Sequence, residues 1–235
     1  MPWGSSPLPW RFFTSWEIME FWFMTGLVPR ILRIDGSTRH SGSVSRDLTD
    51  LAISTLQNHL GGANVTQRDT RSGIGNISSA WRNASLKPNE ARSSDDPAVL
   101  AQSEALMHEV AVADLLIIAL PIYNFNIPAA FKSWIDLICR DNVDGGRASN
   151  LVGKFKNKQA LIILTSNYTK AYTDDDFASP YLKFIFKFIG IDSVTFIDAT
   201  GLGNDLVGVV ARAQDAVISH CMAIAENWNK QTAAE

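Results

Sequence analysis

Cysteine is almost missing from this 235-residue chain: Cys139 and Cys221 are the only two, and no Cys-x-x-Cys pair occurs. So few thiols exclude a disulfide framework and a structural zinc site. Histidine is nearly as sparse, and His40, His59, His108 and His220 stand apart without ligand spacing, so no metal site is expected. Neither sign of charge dominates. A formal net charge of -3 gives no electrostatic footprint for nucleic acid or an anionic membrane surface. No apolar run is long enough to span a bilayer. The most apolar stretch lies near the start, carries Glu17 and Glu20, and lacks the basic and aliphatic regions of a secretory signal. Neither Gly-x-Gly-x-x-Gly nor Gly-Lys-Ser/Thr is present, so the dinucleotide fingerprint and the Walker loop are not supported. The expectation left is a cytoplasmic protein that binds a small molecule.

With 46% hydrophobic and 19% charged residues the composition is that of a globular protein, able to bury about 70% of the surface its unfolded chain exposes. The first thirty residues differ from the rest, holding Trp3, Trp10, Phe12, Phe13, Trp16, Phe21, Trp22 and Phe23. Two readings of residues 1–29 follow: a poorly ordered extension with Met24 as an alternative start, which is preferred, or an aromatic segment that docks on a surface. Residues 30–230 form the domain proper.

Residues 30–34 make a short β-like run that stops at Asp35-Gly36, and a Ser-rich turn then leads into an amphipathic stretch over 45–60. The Gly61-Gly62 pair supplies a left-handed C-cap for that helix, and residues 65–69 are a weak second strand. Residues 70–97 lack periodicity and are expected as a long loop that could cover a ligand site. Asp96-Pro97 starts a helix. Residues 114–120 are a continuous apolar run, the mark of a central parallel strand buried on both faces. Pro128 opens a helix through Arg140, residues 159–164 are a second buried strand, and 181–189 an aromatic helix. A last strand over 193–197 and a closing helix over 207–228 complete the order β-α repeated five times. Such alternation implies a three-layer α/β domain with a doubly wound parallel sheet of order 2-1-3-4-5.

In such a sheet the ligand sits beyond the carboxyl ends of the strands, where the order reverses between strands 1 and 3. The loop after strand 1 reads Gly36-Ser37-Thr38-Arg39-His40-Ser41-Gly42-Ser43-Val44-Ser45-Arg46. Its hydroxyls, with the free amides and positive end of the following helix, suit a terminal phosphate; the alternative is an N-cap in a polar surface loop. The loop after strand 3, Pro121-Ile122-Tyr123-Asn124-Phe125-Asn126-Ile127-Pro128, offers backbone groups to a heteroaromatic ring edge and aromatic walls beside it. Its alternative is a tight turn with both aromatics tucked into the core. Asp174-Asp175-Asp176 reads as a solvated run before a helix, and Cys139 as an inert thiol on a core-facing helix.

Taken together, Ser37-x5-Ser43-x-Ser45-Arg46 and the run from Pro121 through Ala129-Ala130-Phe131-Lys132-x-Trp134-Ile135-Asp136 resemble the FMN-dependent NADH-azoreductases. These are flavodoxin-like reductases of quinones and azo compounds. The resemblance runs from about Ile31 to the last helix. It implies a homodimer that binds FMN, takes electrons from NADH or NADPH, and reduces a quinone or azo compound in a ping-pong second half-reaction. No side chain serves as nucleophile or acid–base pair, because the flavin carries the chemistry. Carried over by position, Ser37, Ser43, Val44 and Ser45 are implied at the ribityl phosphate. Pro121, Ile122, Tyr123, Asn124 and Phe125 are implied at the flavin ring, with Ser166 and Asn167 in a third segment. In that segment the chain has Ser166-Asn167-Tyr168-Thr169 where similar proteins carry a glycine pair, so Tyr168 is a candidate to fill space over the ring. A second departure is Asp141-Asn142-Val143-Asp144-Gly145-Gly146-Arg147, in a region that shapes the substrate pocket of similar proteins. The rival reading is a non-enzymatic electron carrier of the flavodoxin type. An acyl-carrier-protein phosphodiesterase, a name attached to relatives of this family, lacks support from any hydrolytic triad.

Overall fold

The computed structural model describes residues 28–39, 41–71, 74–140 and 153–233. The aromatic extension (apart from Val28 and Pro29), His40 and the departure at residues 141–147 lie outside them. Five parallel strands, β1 (Arg30–Asp35), β2 (Asn64–Asp69), β3 (Leu115–Pro121), β4 (Gln159–Thr165) and β5 (Ser193–Ala199), form one sheet in the order β2-β1-β3-β4-β5. The expected flavodoxin-like arrangement is therefore present.

The sheet is buried by alternation. On β3, Leu115, Ile117 and Ala119 face one layer and Leu116, Ile118 and Leu120 the other, and all seven strand positions are buried. The first set, with Ile31, Leu161 and Ile163, packs on helices α1 (Val44–Leu60) and α6 (Leu206–Thr232) through Leu48, Ala52, Leu56, Val209, Ala213 and Val217. The second meets helices α3 (Asp96–Val112), α4 (Ala129–Ile138) and α5 (Ala178–Ile189) through Leu106, Val110, Phe131, Trp134 and Phe186. The Phe131 and Trp134 rings stack with centroids 5.1 Å apart. Because successive strand residues point to opposite faces, a continuous apolar run is what a strand needs when both faces are covered. Gly61 ends α1 at φ 69°, a conformation that favours glycine.

Three sequence expectations change. Residues 70–97 are not all loop: they hold α2 (Ser79–Ser85) and a 3-10 turn at Asn89–Ala91. Ser78 Oγ caps α2 by accepting from Trp81 N at 3.0 Å, and Trp81 packs against the core. A seven-residue helix is too short to show a period and owes its existence to tertiary packing. Among the described residues of this segment none lines the cavity discussed below. Helix α5 begins at Ala178 rather than residue 181, and its start explains the third change. Asp176 is buried rather than solvated, accepting from Tyr172 N at 2.8 Å, Ala178 N at 2.9 Å, Ser179 N at 3.0 Å and the Ser179 hydroxyl. Asp174 and Asp175 are exposed.

Candidate functional site

The strand register places Asp35 beside Ala119, Pro121 beside Thr165, and Thr165 beside Ala199. The loops after β1, β3, β4 and β5 therefore emerge together at one edge. There they enclose a cavity of about 460 Å³, within the range of small-molecule and cofactor pockets. Its walls include Ser37, Arg39, Ser43, Val44 and Ser45 from the first loop and Pro121, Ile122, Tyr123 and Asn124 from the second. Thr165, Ser166, Asn167, Tyr168 and Thr169 follow β4, and Leu202 follows β5. Of the sequence candidates, only Phe125 is outside this lining. Arg39, Thr165, Thr169 and Leu202 were not singled out as site residues. Arg39, Thr165 and Thr169 sit beside candidates in sequence, whereas Leu202 is brought in by the β4–β5 pairing alone.

The first loop is shaped for an anion. Ser37, Ser43 and Ser45 are buried, and the Ser43 and Ser45 hydroxyls meet each other at 3.1 Å. One shared bond leaves hydroxyl capacity unused. Ser43 caps none of the amides of α1 with its side chain. Arg46 N and Asp47 N both close on Ser43 O, at 2.9 and 3.0 Å. The amides of Val44 and Ser45 thus precede the first intrahelical bond and are the donors a helix start presents to a phosphate. Gly36 lets this loop approach β3: its N donates to Ala119 O at 2.8 Å, and a Cβ there would lie 2.5 Å from Leu120 Cδ2.

In the second loop Tyr123 and Asn126 exchange backbone hydrogen bonds of 2.9 and 3.1 Å. Asn124 at φ 47° and Phe125 at φ 70° are both left-handed, as in a two-residue turn that ordinarily prefers Asn-Gly. Phe125 therefore carries strain on the order of 1 kcal/mol, met in part by Phe177 N donating to Phe125 O at 3.0 Å. The aromatics are not tucked into the core: Tyr123 is 37% and Phe125 51% exposed. Tyr123 Oη instead hydrogen-bonds Thr38 Oγ1 at 3.0 Å, joining the second loop to the first.

The third segment manages without its own glycines by borrowing space from the next loop. Leu202 N donates to Ser166 O at 2.9 Å and Gly203 N to Asn167 O at 2.8 Å, extending the β4–β5 pairing beyond the strands. A Cβ at Gly203 would lie 2.7 Å from Tyr168 Cε1, so the Tyr168 ring rests on Gly203 and stays 74% exposed at the rim. It flanks the cavity rather than filling it.

The residues present fit a flavin mononucleotide. The lining brings the hydroxyls and helix start of the first loop together with the turn of the second loop and the Ser166–Thr169 segment. Among the described residues no three His, Cys, Asp or Glu gather as a metal site, and no helix is long and apolar enough to cross a membrane.

A cavity at the switch point of a 2-1-3-4-5 parallel sheet defines the class, and the chain belongs to the flavodoxin-like fold family, whose model matches residues 29–219. Among curated relatives it is 43% identical over 190 residues to FMN-dependent NADH:quinone oxidoreductase 1 of Colwellia psychrerythraea, spanning 80% of this chain and 97% of the relative. The protein of the same name from Jannaschia sp. is 41% identical over 176 residues, 74% of this chain and 90% of that one. Within the flavodoxin-like fold this identity and coverage place the chain with these oxidoreductases. A solved FMN-dependent NADH-azoreductase from Bacillus anthracis, in complex with FMN, shares the fold with a TM-score of 0.72 at 22% identity, covering 83% of this chain and 99% of that one.

Proposed function

We propose that the protein is an FMN-dependent NADH:quinone oxidoreductase that also accepts azo compounds. The observation that carries this reading is one cavity joining an anion-binding helix start to a polar backbone turn, in a chain so similar to oxidoreductases of that name. When bound, FMN supplies the redox chemistry, moving two electrons from NADH to the acceptor. The protein binds and orients. Ser37, Ser43, Ser45 and the amides of Val44 and Ser45 hold the phosphate. Pro121, Ile122, Tyr123, Asn124 and Phe125 form the turn beside the ring, where Phe125 contributes backbone rather than wall. Ser166 and Asn167 close the far side, and Tyr168 with Leu202 narrows the mouth and limits water.

The domain spans 30–230, with 1–29 an extension outside it. The working form is a cytoplasmic homodimer. The resemblance supports the dimer, and so do the aromatics left exposed at the cavity and its second loop, Phe125, Tyr168 and Phe177, which a second subunit would cover. Two free cysteines agree with a reducing compartment.

The test is an anaerobic absorbance titration of the FMN-loaded protein with NADH, followed by menadione. Bleaching of the flavin band and its return with quinone is the expected result. Retained flavin that NADH leaves unchanged would point to an electron carrier, and failure to bind FMN would sink the proposal.

A further inference from the structure

Beneath the phosphate end of the cavity lies a row of charges that the binding groups themselves do not explain. Arg46, in the first turn of α1, has a side chain only 13% exposed. It points away from the cavity and back under the loop. One terminal nitrogen, Nη2, donates to Ser37 O at 2.8 Å and to Asp69 Oδ1 at 3.1 Å, and Nη1 lies 3.3 Å from Asp35 Oδ2. Asp35 is fully buried and also accepts from Arg33 Nε at 2.8 Å and Gln67 Nε2 at 2.7 Å. Asp69 in turn binds Arg71, whose Nη1 donates to Arg39 O at 3.2 Å. Asp69 therefore gathers two guanidinium groups, each holding one carbonyl of the loop.

Buried ion networks are a weak source of stability, and this one leaves Arg46 Nε and Asp35 Oδ1 buried without a partner. Geometry is what it supplies. Arg33, Arg46 and Arg71 share Asp35 and Asp69, and Arg33 also pairs with Asp50, so three guanidinium groups meet three carboxylates and little of the attraction of Arg46 is left for a ligand. What Arg46 does is fix the distance between two parts of the loop: the Ser37 end, which follows β1, and the Ser43–Ser45 end, which opens α1. The three hydroxyls that would share one phosphate sit on those two parts, nine residues of chain apart from Ser37 to Arg46.

Building on the proposed flavin site, we propose that Arg46 is a positioning residue that sets the preference of the pocket for a phosphorylated flavin, without touching the flavin itself. The planar fork matters because it must reach a carbonyl and two carboxylates at once, which a lysine ammonium on a flexible stem does poorly.

The test compares FMN with riboflavin, using quenching of flavin fluorescence on wild type, R46K and R46M. Loss of one charge-assisted tether predicts an FMN Kd about tenfold higher in R46M. R46K should recover only part of that, with riboflavin Kd within about twofold of wild type in both variants. Equal weakening of FMN and riboflavin would mean a merely structural role and overturn the proposal, as would unchanged FMN affinity in both variants. Should wild type bind no flavin, inorganic phosphate is the probe. A rise of Tm with phosphate in wild type that R46M lacks and R46K shows only in part would keep the Arg46 assignment and sink the flavin reading. No response of wild type to phosphate would sink both.

Discussion

Replacing the buried Asp176 with alanine should destabilise the protein by removing the carboxylate that closes the turn before α5. The carboxylate closes the β4–α5 connection by accepting three backbone N–H groups and the Ser179 hydroxyl. Burial pushes its pKa up, but the bonds from the Ser179 hydroxyl and from the amides of Ser179, Tyr172 and Ala178 prevail and hold it below its ordinary value. A hydrogen bond to a charged group contributes about 1.5–3 kcal/mol and a helix cap about 1 kcal/mol, while water takes over part of what is lost. The net cost for Asp176→Ala is about 3 kcal/mol, and for Asp176→Asn, which keeps one accepting oxygen, about half of that. Urea unfolding at neutral pH measures both. The sign of the pH dependence follows from the depressed pKa. The contribution is complete above the unfolded value of about 3.9 and disappears as pH falls through the folded value, so the Asp176→Ala penalty should shrink at about pH 3. A penalty below about 0.5 kcal/mol at pH 7, or one equally large at about pH 3, would refute this account of the turn. Because Phe177 N holds Phe125 O, the same variant should also loosen the ring end of the cavity and weaken FMN retention.

Gly36→Ala forces a Cβ to within 2.5 Å of the buried Leu120 side chain and 3.2 Å of Ala119 O; we expect a loss of about 1–3 kcal/mol together with weaker FMN binding, measured by urea unfolding and flavin titration. Unchanged values would mean that the first loop does not need this close approach to β3. Burial raises the Asp69 carboxyl, but hydrogen bonds from Arg71 and Arg46 outweigh it and hold the group far below the usual carboxylate range. Its support of the first loop is thus complete above about pH 4 and lost in stronger acid, so Asp69→Asn should flatten the acid limb of a Tm against pH profile. Burial pushes both Cys139 and Cys221 up to about 12, with Asp136 adding to the effect at Cys139. Iodoacetamide at about pH 8 should therefore leave the native protein unlabelled by mass spectrometry and modify both thiols only after unfolding.

How far the sequence carried can be seen at particular places. Residues 115–120 could be read as a central strand because burial on both faces requires an unbroken apolar run, and that requirement is written residue by residue. The order of the sheet followed from strict β-α alternation, since parallel strands need crossovers and crossovers of one hand leave few topologies. The serine-rich loop and the Pro121–Pro128 turn were legible for the same reason: each is a local motif whose function depends on neighbours in the chain. Tertiary structure alone decided the rest. Helix α2 has too few residues for a period and exists because Trp81 finds the core. Leu202 joins the cavity, and Tyr168 can rest on Gly203, because two loops 35 residues apart run side by side beyond β4 and β5. Asp176 looked like one of three solvated acids until folding turned three amides and a hydroxyl toward it. Arg46 appeared as part of a phosphate motif, yet its fork points under the loop to Ser37 O, Asp35 and Asp69. Local order is set by forces between residues close in sequence, which composition and spacing record. Contacts between distant segments depend on where the sheet register sets each loop, and no single segment of the chain contains that information.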